Sequence, residues 1–527
     1  MSVLVSPGVS VTISDNSFYI PNSAPTVPLI FLATRADKTL TDGVTPAPGA
    51  QEHGIVRTIT SLNTSVAMYG VPFFRTDNSG APLHGDARNE YGLLVLNQAL
   101  TNINVAYTVR ADVDLADADV TTYSADTPVF VGSGNGTMGA ISVDQATAVD
   151  ELWTLTATSS TSFTVDGFVS GSQGTATVGT LYNNGIVSFT ITAGNTPFSN
   201  GDAFTFNVTS VTVQHPLGAN DAAKRATIVA ALNAQIVGNT DVRSEYYEYN
   251  LILCPGYHET VNNLLSLNNA IFDEAFVIAD TPFDRTPENT ATWSLTSARY
   301  HGTNVAYYYP HCFTTNLDGA EVFGAASGMA LKTYGYSDRV SEVWFPPAGF
   351  RRGIVTGVTD VGYVSGTLGT ATRFVSTPLN QGQRDVLYQF QNNINIIPFM
   401  PGRGIVVLGQ KTSYSLTSAL DRVNVVRMLT MIKRDLRKAA MAYLFELNDR
   451  ITRDSLKLMV DSYLHDIMIR RGIYDFVTVC DTSNNTPVRI DRNELWLDVA
   501  IAPAKSVEFI YIPINVVTTG SIQSNNV

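Results

Sequence analysis

The sequence predicts a multidomain protein of mixed α+β and α/β class. It has a discontinuous α/β body, an inserted β-sandwich-like domain, and an α+β carboxy-terminal domain with extended terminal arms. Three observations predict this. A chain of 527 residues, 44% hydrophobic and 15% charged, exceeds one ordinary core and is too apolar for disorder. Strand-length apolar runs alternate with helix-length segments on both sides of residues 108–216, the pattern of a largely parallel sheet with helices on its faces. Between them the composition changes: Ala111 to Ala223 holds no Lys or Arg in 113 positions and supplies −11 of the net charge of −13.

Residues 1–20 read as an extended arm, since Val5, Val9, Val11 and Ile13 are spaced mostly by two and Pro7-Gly8 interrupts any helix. The body is expected over 21–107 and 217–395. Its first part holds a strand at Val27–Thr34, a helix at Tyr91–Thr101 and a strand at Ile103–Arg110, with a loop marked by Gly43, Pro46, Pro48 and Gly49. After the insert come a helix at Lys224–Ile236, a strand at Tyr249–Cys254, a helix at Glu259–Phe272, and strands at Ala275–Ala279 and Asn304–Tyr309.

The insert, 108–216, is rich in Thr, Ser, Val and Gly, with period-two stretches such as Ser162–Val165 and Val187–Ile191. Asn135-Gly136, Asp166-Gly167, Asn184-Gly185 and Asn200-Gly201 suit type I′ hairpins, whose two central residues need positive φ. An all-β sandwich or small barrel follows from this.

In the carboxy-terminal domain, 396–527, the residues Leu420, Val423, Val426, Leu429, Ile432, Leu436, Ala440 and Leu444 recur every three or four positions and predict one long helix. Arg422, Arg427, Lys433, Arg434, Arg437 and Lys438 fall on its other faces. A second helix is expected from about Arg453 to Arg471, with Thr452 as N-cap and Gly472 as the C′ residue. Strands follow near Tyr474–Cys480, Leu495–Ile501 and Val507–Val517, the last broken by Pro513.

No catalytic residue, cofactor site or metal site is predicted. Gly134–Gly139 spells GxGxxG, but Ala140–Val143 after it reads as a strand where a dinucleotide site needs a helix. Gly404–Thr412 approaches a phosphate-binding loop, yet Gln410 separates Gly409 from Lys411 and the interior is made of apolar strand formers. The seven histidines form no HxxxH pair, and Cys254, Cys312 and Cys480 lack metal spacing, so buried free thiols are expected. No apolar run reaches the ~20 residues of a membrane span, and the first residues lack the features of a secretory signal, so a protein made in a cytoplasm without membrane insertion is expected. Asp421, Asp435 and Glu446 interleave with the basic residues of the long helix, which favours a protein-contacting or solvated face over nucleic acid.

Five stretches resemble the contractile tail sheath family of myovirus type. Phe345–Gly353 is similar to the family's P-A-G-x-x-R-G element, and Gly404–Thr412 is similar to a second family stretch. Ser418–Arg427 opens the long helix. Arg471–Asp475 leads to Cys480-Asp481 and Asn484–Pro487. Ile490–Glu494 is followed by Val507–Tyr511. Ser6-Pro7-Gly8-Val9 also looks like a sheath start. The resemblance runs almost continuously from about 340 to 517, is weaker over 21–340 and is absent from the insert.

The resemblance implies a homo-oligomer of stacked, usually hexameric rings wound around a tail tube protein, with baseplate and tail terminator proteins as further partners. The location it implies is the contractile tail of a virion, assembled in the host cytoplasm. A sheath from a phage-derived injection device or bacteriocin is the alternative. It further implies that terminal arms add strands to neighbouring subunits, which nominates Val5, Val9, Val11, Ile13, Val507, Phe509, Tyr511, Ile514 and Val516 as arm residues. Arg427, Lys433, Arg434, Arg437 and Lys438 are the candidates for facing the tube. The acidic insert is expected on the outer surface. An adhesive role for it is a rival reading that rests on the insert alone.

Overall fold

A computed structural model of the chain describes residues 26–512 apart from 41–42, 78, 117–119, 146, 214–216, 219 and 367–371. The amino-terminal arm with Val5, Val9, Val11 and Ile13, and the later positions Ile514 and Val516, lie outside the described residues. The chain divides into two compact units, one taking in the chain up to Ala116 and from Asp221 onward, the other Asp117–Asn220.

The first unit is built on apolar runs of strand length. They become β1 (Pro28–Thr34), β2 (Val56–Ile59), β3 (Ala106–Asp114), β4 (Leu251–Leu253), β5 (Phe276–Asp280), β6 (Val305–Tyr309) and β7 (Ile394–Ile396). Their order in one sheet is β2-β3-β1-β4-β5-β6-β7, parallel throughout except for the β2–β3 pair. Strands β1, β4, β5, β6 and β7 are buried at every position, as a sheet covered on both faces requires. Helices α1 (Tyr91–Ala99), α2 (Asp221–Gly238), α3 (Val261–Ala270) and α4 (Ala326–Val340) supply the cover.

The sequence gives no sign of a second sheet in this unit. Residues His311–Thr315, Glu321–Gly324, Asp360–Ser365 and Arg373–Ser376 pair antiparallel into four strands. Phe323, Val361 and Val364 join the main apolar core from there.

The carboxy-terminal elements are α5 (Val423–Ala440), α6 (Arg450–Ile469), β8 (Ile473–Val479) and β9 (Asp498–Pro503). They keep a core of their own around Trp344, Met428, Ile432, Leu456, Val460, Leu464, Ile467 and Ile473. Val423 and Val426, one turn earlier on α5, belong instead to the body core. The long helix therefore bridges two apolar clusters, which explains why this region stays within the first unit.

Several boundaries differ from expectation for local reasons. Helix α5 ends at Ala440, and Leu444 is exposed in the following loop. Helix α6 is capped by Asp449, which accepts from the N–H of Thr452 at 2.8 Å; Thr452 is thus inside the helix, not its cap. At its other end Arg471 takes φ +69°, and the N–H groups of Arg471 and Gly472 donate to Met468 and Ile467 in a Schellman arrangement. Gly472 is needed for close approach: a Cβ there would sit 2.5 Å from Ile467 and 3.1 Å from Trp344. Residues 507–512 form no strand.

The second unit is all antiparallel β. One sheet runs Gly171–Thr177, Ser162–Gly167, Glu151–Ser159, Ala203–Val213, Val120–Ala125, with Val129–Val131 also on the long strand. The other sets Val187–Thr192 against Leu181–Asn183, Thr137–Met138 and Ser142–Val143. Inward alternation packs Trp153, Leu155, Phe163, Phe189, Phe204 and Phe206 between the sheets.

Its turns are not of type I′, because Asn135, Asp166, Asn184 and Asn200 all keep negative φ. Asn184 makes its turn with its side chain instead, Oδ1 accepting from the N–H groups of Ile186 (3.0 Å) and Val187 (2.8 Å).

Candidate assembly surface

Four of the segments singled out in the sequence, Phe345–Gly353, Gly404–Thr412, Ser418–Arg427 and the stretch opening at Arg471, form one connected structure. In the first, the N–H of Gly349 donates to Val407 (2.8 Å), and the N–H of Val407 donates back to Gly353 (2.7 Å). The phosphate-loop look-alike is therefore an extended partner of the P-A-G-x-x-R-G element, with Val406 and Val407 buried and no helix following directly. It passes its pairing on. The N–H of Thr412 donates to Asp421 (3.0 Å) and that of Val423 to Gln410 (2.8 Å), which ties the strand to the start of α5.

The turn after α6 closes the same circuit. The indole N–H of Trp344 donates to the carbonyl of Arg470 (3.1 Å), and the amide of Asn424 donates to the carbonyl of Trp344 (3.0 Å). The N–H of Ala504 donates to Gly472 at 3.0 Å, the last backbone bond of the described chain. A cleft of ≈ 960 Å³ is left beside these segments, lined among others by Trp344, Phe350, Arg471, Tyr474 and Phe509.

The other look-alike, Gly134–Gly139, is a loop and a two-residue strand. Asp202 accepts from the N–H groups of Ser133 and Gly134, both at 3.0 Å, and the N–H of Asn135 donates to Thr196 at 3.2 Å, so these donors are already engaged within the fold. All three cysteines are buried thiols, and burial pushes those of Cys254 and Cys312 up to about 12. No group of His, Cys, Asp and Glu among the described residues could hold a metal ion. No described helix is long and apolar enough to cross a membrane.

The basic residues of α5 divide into two sets. Arg427 is not a surface group: its side chain is 3% exposed and forks onto Asp338 of α4, itself 0% exposed, while the guanidinium lies 4.5 Å from the ring centre of Tyr334. Burial would lower its pKa, but the adjacent carboxylate outweighs this and raises it. Arg434 is also buried. Asp338 accounts for the burial of Arg427, and in this chain neither Arg427 nor Arg434 is exposed as the candidates for facing the tube were expected to be.

Lys433, Arg437 and Lys438 lie nearer solvent. Lys433 donates to the carbonyl of Phe272, Arg437 to Glu274 (2.6 Å) and Lys438 to Glu248. Arg437 also stacks over Phe272 at 4.1 Å.

The two-stranded sheet of β8 and β9 has an unpaired edge on each strand among the described residues. Beyond it Val507, Phe509, Ile510, Tyr511 and Ile512 are 66–87% exposed. One side chain in this run faces inward: Glu508 accepts from Arg422 twice, Nε–Oε1 at 2.7 Å and Nη2–Oε2 at 3.0 Å. Gln410 (3.0 Å) and the Tyr388 hydroxyl (3.3 Å) donate to it as well. Sequence reading missed this anchor, since a pair 86 residues apart leaves no local pattern.

Residues 415–517 match the family model described as the phage tail sheath C-terminal domain. The chain is 41% identical over 175 residues to the tail sheath protein of Vibrio phage KVP40, covering 33% of this chain and 24% of that protein. It is 32% identical over 312 residues to the tail sheath protein of Enterobacteria phage T4, covering 59% of this chain and 43% of that one. The resemblance to contractile phage tail sheath proteins is thereby shown. Each alignment spans less than half of the relative's own length. Two solved structures share the fold of this sheath-like chain. The anti-feeding prophage helical sheath in its contracted state aligns at TM-score 0.54 and 16% identity, over 97% of this chain and 99% of that one. The PVC sheath complex of an extracellular contractile injection system, also contracted, aligns at 0.55 and 13%, over 98% of each.

Proposed function

We propose that this chain is the structural subunit of a contractile tail sheath, polymerising as stacked rings around a tail tube and shortening to drive the tube through a host envelope. The observation that carries the reading is the last described segment, an apolar arm bound to its own fold through one carboxylate and otherwise exposed, in the region that matches the sheath family. An apolar segment with unpaired backbone is a liability unless another chain pairs with it. Strand addition between copies would supply the missing hydrogen bonds, and a head-to-tail contact that does not close produces a helix of subunits.

Work on the tube follows from many subunits exchanging one set of packed contacts for another, since packed interfaces switch between discrete arrangements. The arms keep neighbours joined during that exchange. The sequence relatives are phage proteins, which favours a virion tail over an injection device of the same fold. Lys433, Arg437 and Lys438 are the cations of α5 nearer solvent and would face a tube by exchanging their present partners in this chain, with Arg427 and Arg434 withdrawn.

Negative-stain microscopy of the purified protein tests the reading. Long hollow tubes or stacked rings are expected, and chains truncated after residue 503 or lacking residues 1–13 should not form them. Small uniform particles from the full chain under all conditions would overturn it. Charge reversal at Lys433 and Lys438 should release tube protein from the polymer while subunit folding is unchanged.

A further inference from the structure

Among the described residues after β9, one more backbone bond is made, from Ala504 to Gly472, and then Ser506 and Glu508 are held by side chains. The clamp on Glu508 is itself fixed. Arg422 precedes α5, bridges to Lys411 through its backbone and pairs with Asp421 at 2.9 Å. Gln410 is buried beside it.

In an extended strand successive side chains point to opposite faces. Once the segment pairs as a strand with Glu508 turned toward its own fold, Ile510 and Ile512 would share its side, and Val507, Phe509 and Tyr511 would take the other. This arm is apolar on both faces, so burial alone would distinguish poorly between two registers one residue apart. A slip of one residue nevertheless exchanges every side chain between faces. Something other than hydrophobicity has to set the parity.

We propose that Glu508, gripped by Arg422, is the register pin for strand addition to a second copy of this chain. It fixes Phe509 and Tyr511 on one face of the shared sheet and Ile510 and Ile512 on the other. The proposal rests on the sheath reading, because it requires a second copy as the acceptor. Its charge-assisted, two-pronged geometry gives the pin direction as well as strength.

Two measurements test it. In the first, one serine or two serines are inserted after Glu508 in the full chain, and polymer is measured by sedimentation and microscopy. One serine inverts the faces and should cut polymer yield at least tenfold; two serines restore the parity and should stay within about threefold of wild type. Equal behaviour of the two insertions, in either direction, overturns the pin. In the second, the isolated subunit is digested with trypsin and cleavage after Lys505 is followed. Arg422→Gln should speed that cleavage about tenfold, and the exchanged pair Arg422→Glu with Glu508→Arg should return it toward wild type. An unchanged rate in Arg422→Gln, or no recovery in the exchanged pair, overturns the anchor. If the wild-type chain forms no polymer at all, the sheath reading fails and the proposal falls with it; if it polymerises and the insertions behave alike, the proposal alone fails.

Discussion

Asp338→Ala should loosen the joint between α4 and α5 more than any surface substitution can. Asp338 is fully buried and carries three contacts: both terminal nitrogens of Arg427 and the hydroxyl of Thr26. Removing the carboxylate leaves a guanidinium 3% exposed with no opposite charge beside it. Breaking a buried pair from one side costs about 3–5 kcal/mol, because the remaining charge is desolvated and uncompensated. At about 1.4 kcal/mol per tenfold, that is roughly a hundredfold to several-thousandfold faster hydrogen exchange for α5 amides that open with this joint.

Because the chain holds two compact units, one global melting curve would mix their transitions, so exchange resolved by peptide is the suitable assay. The companion is the double variant Asp338→Leu with Arg427→Met, which removes both charges and keeps the volume. Apolar replacement of a whole buried pair is often neutral or stabilising, so the double variant should exchange within about tenfold of wild type. A single variant within about 0.5 kcal/mol of wild type would refute the argument. So would a double variant as damaged as the single.

His311 is fully buried, accepts the N–H of Ala326 on Nδ1 at 3.2 Å, and is pushed down by burial to about 3. An unfolded histidine titrates near 6.5, so the neutral form's contribution is whole above that pH and is lost as pH falls toward 3. Between pH 7 and 5 about 2 kcal/mol should go from this group, and His311→Gln should flatten the acid dependence of the opening free energy read by peptide-resolved exchange around His311; an equally steep dependence would count against it. Gly472→Ala forces a methyl against Ile467 and Trp344, for which a loss of about 1–3 kcal/mol is expected, read from exchange of α6 peptides. Phe206→Ala empties the space between Trp153 and Phe189 and should cost about 3–5 kcal/mol. Its faster exchange should be confined to peptides of 117–220, and spread into α5 would contradict the division into units.

The body was legible where burial is continuous. Strands such as β1, β5 and β6 are apolar at nearly every position because both faces are covered, so run length alone located them to within a few residues. The four-stranded sheet from His311 to Ser376 was not legible. Its strands Glu321–Gly324 and Arg373–Ser376 are short and carry charge, and its central pairing, of His311–Thr315 with Asp360–Ser365, joins residues about 50 positions apart. In the second unit the Asn-Gly pairs marked turn regions such as that at Asn184, but the turn type followed from a side-chain hydrogen bond that composition does not specify.

On α5 the same three-four spacing that located the helix misassigned its faces. A helix with one partner has one apolar stripe, but α5 has two: the body core at Val423 and Val426, and the carboxy-terminal core at Met428 and Ile432. Arg427 lies between these two contacts, where only a paired charge can be buried. A basic residue there looks identical in sequence to Lys433, which is exposed six residues later. The arm presents the converse case. Apolar composition marked Val507–Val517 as a strand, and the isolated chain shows none over 507–512, since a strand is defined by a partner and the described residues supply none. Glu508, which interrupts the apolar run and weakens the strand signal, is the one residue there that the fold grips. An arm anchored at a single charged point and apolar on both sides lowers its free energy further against a second surface, and the proposed contact between copies rests on that.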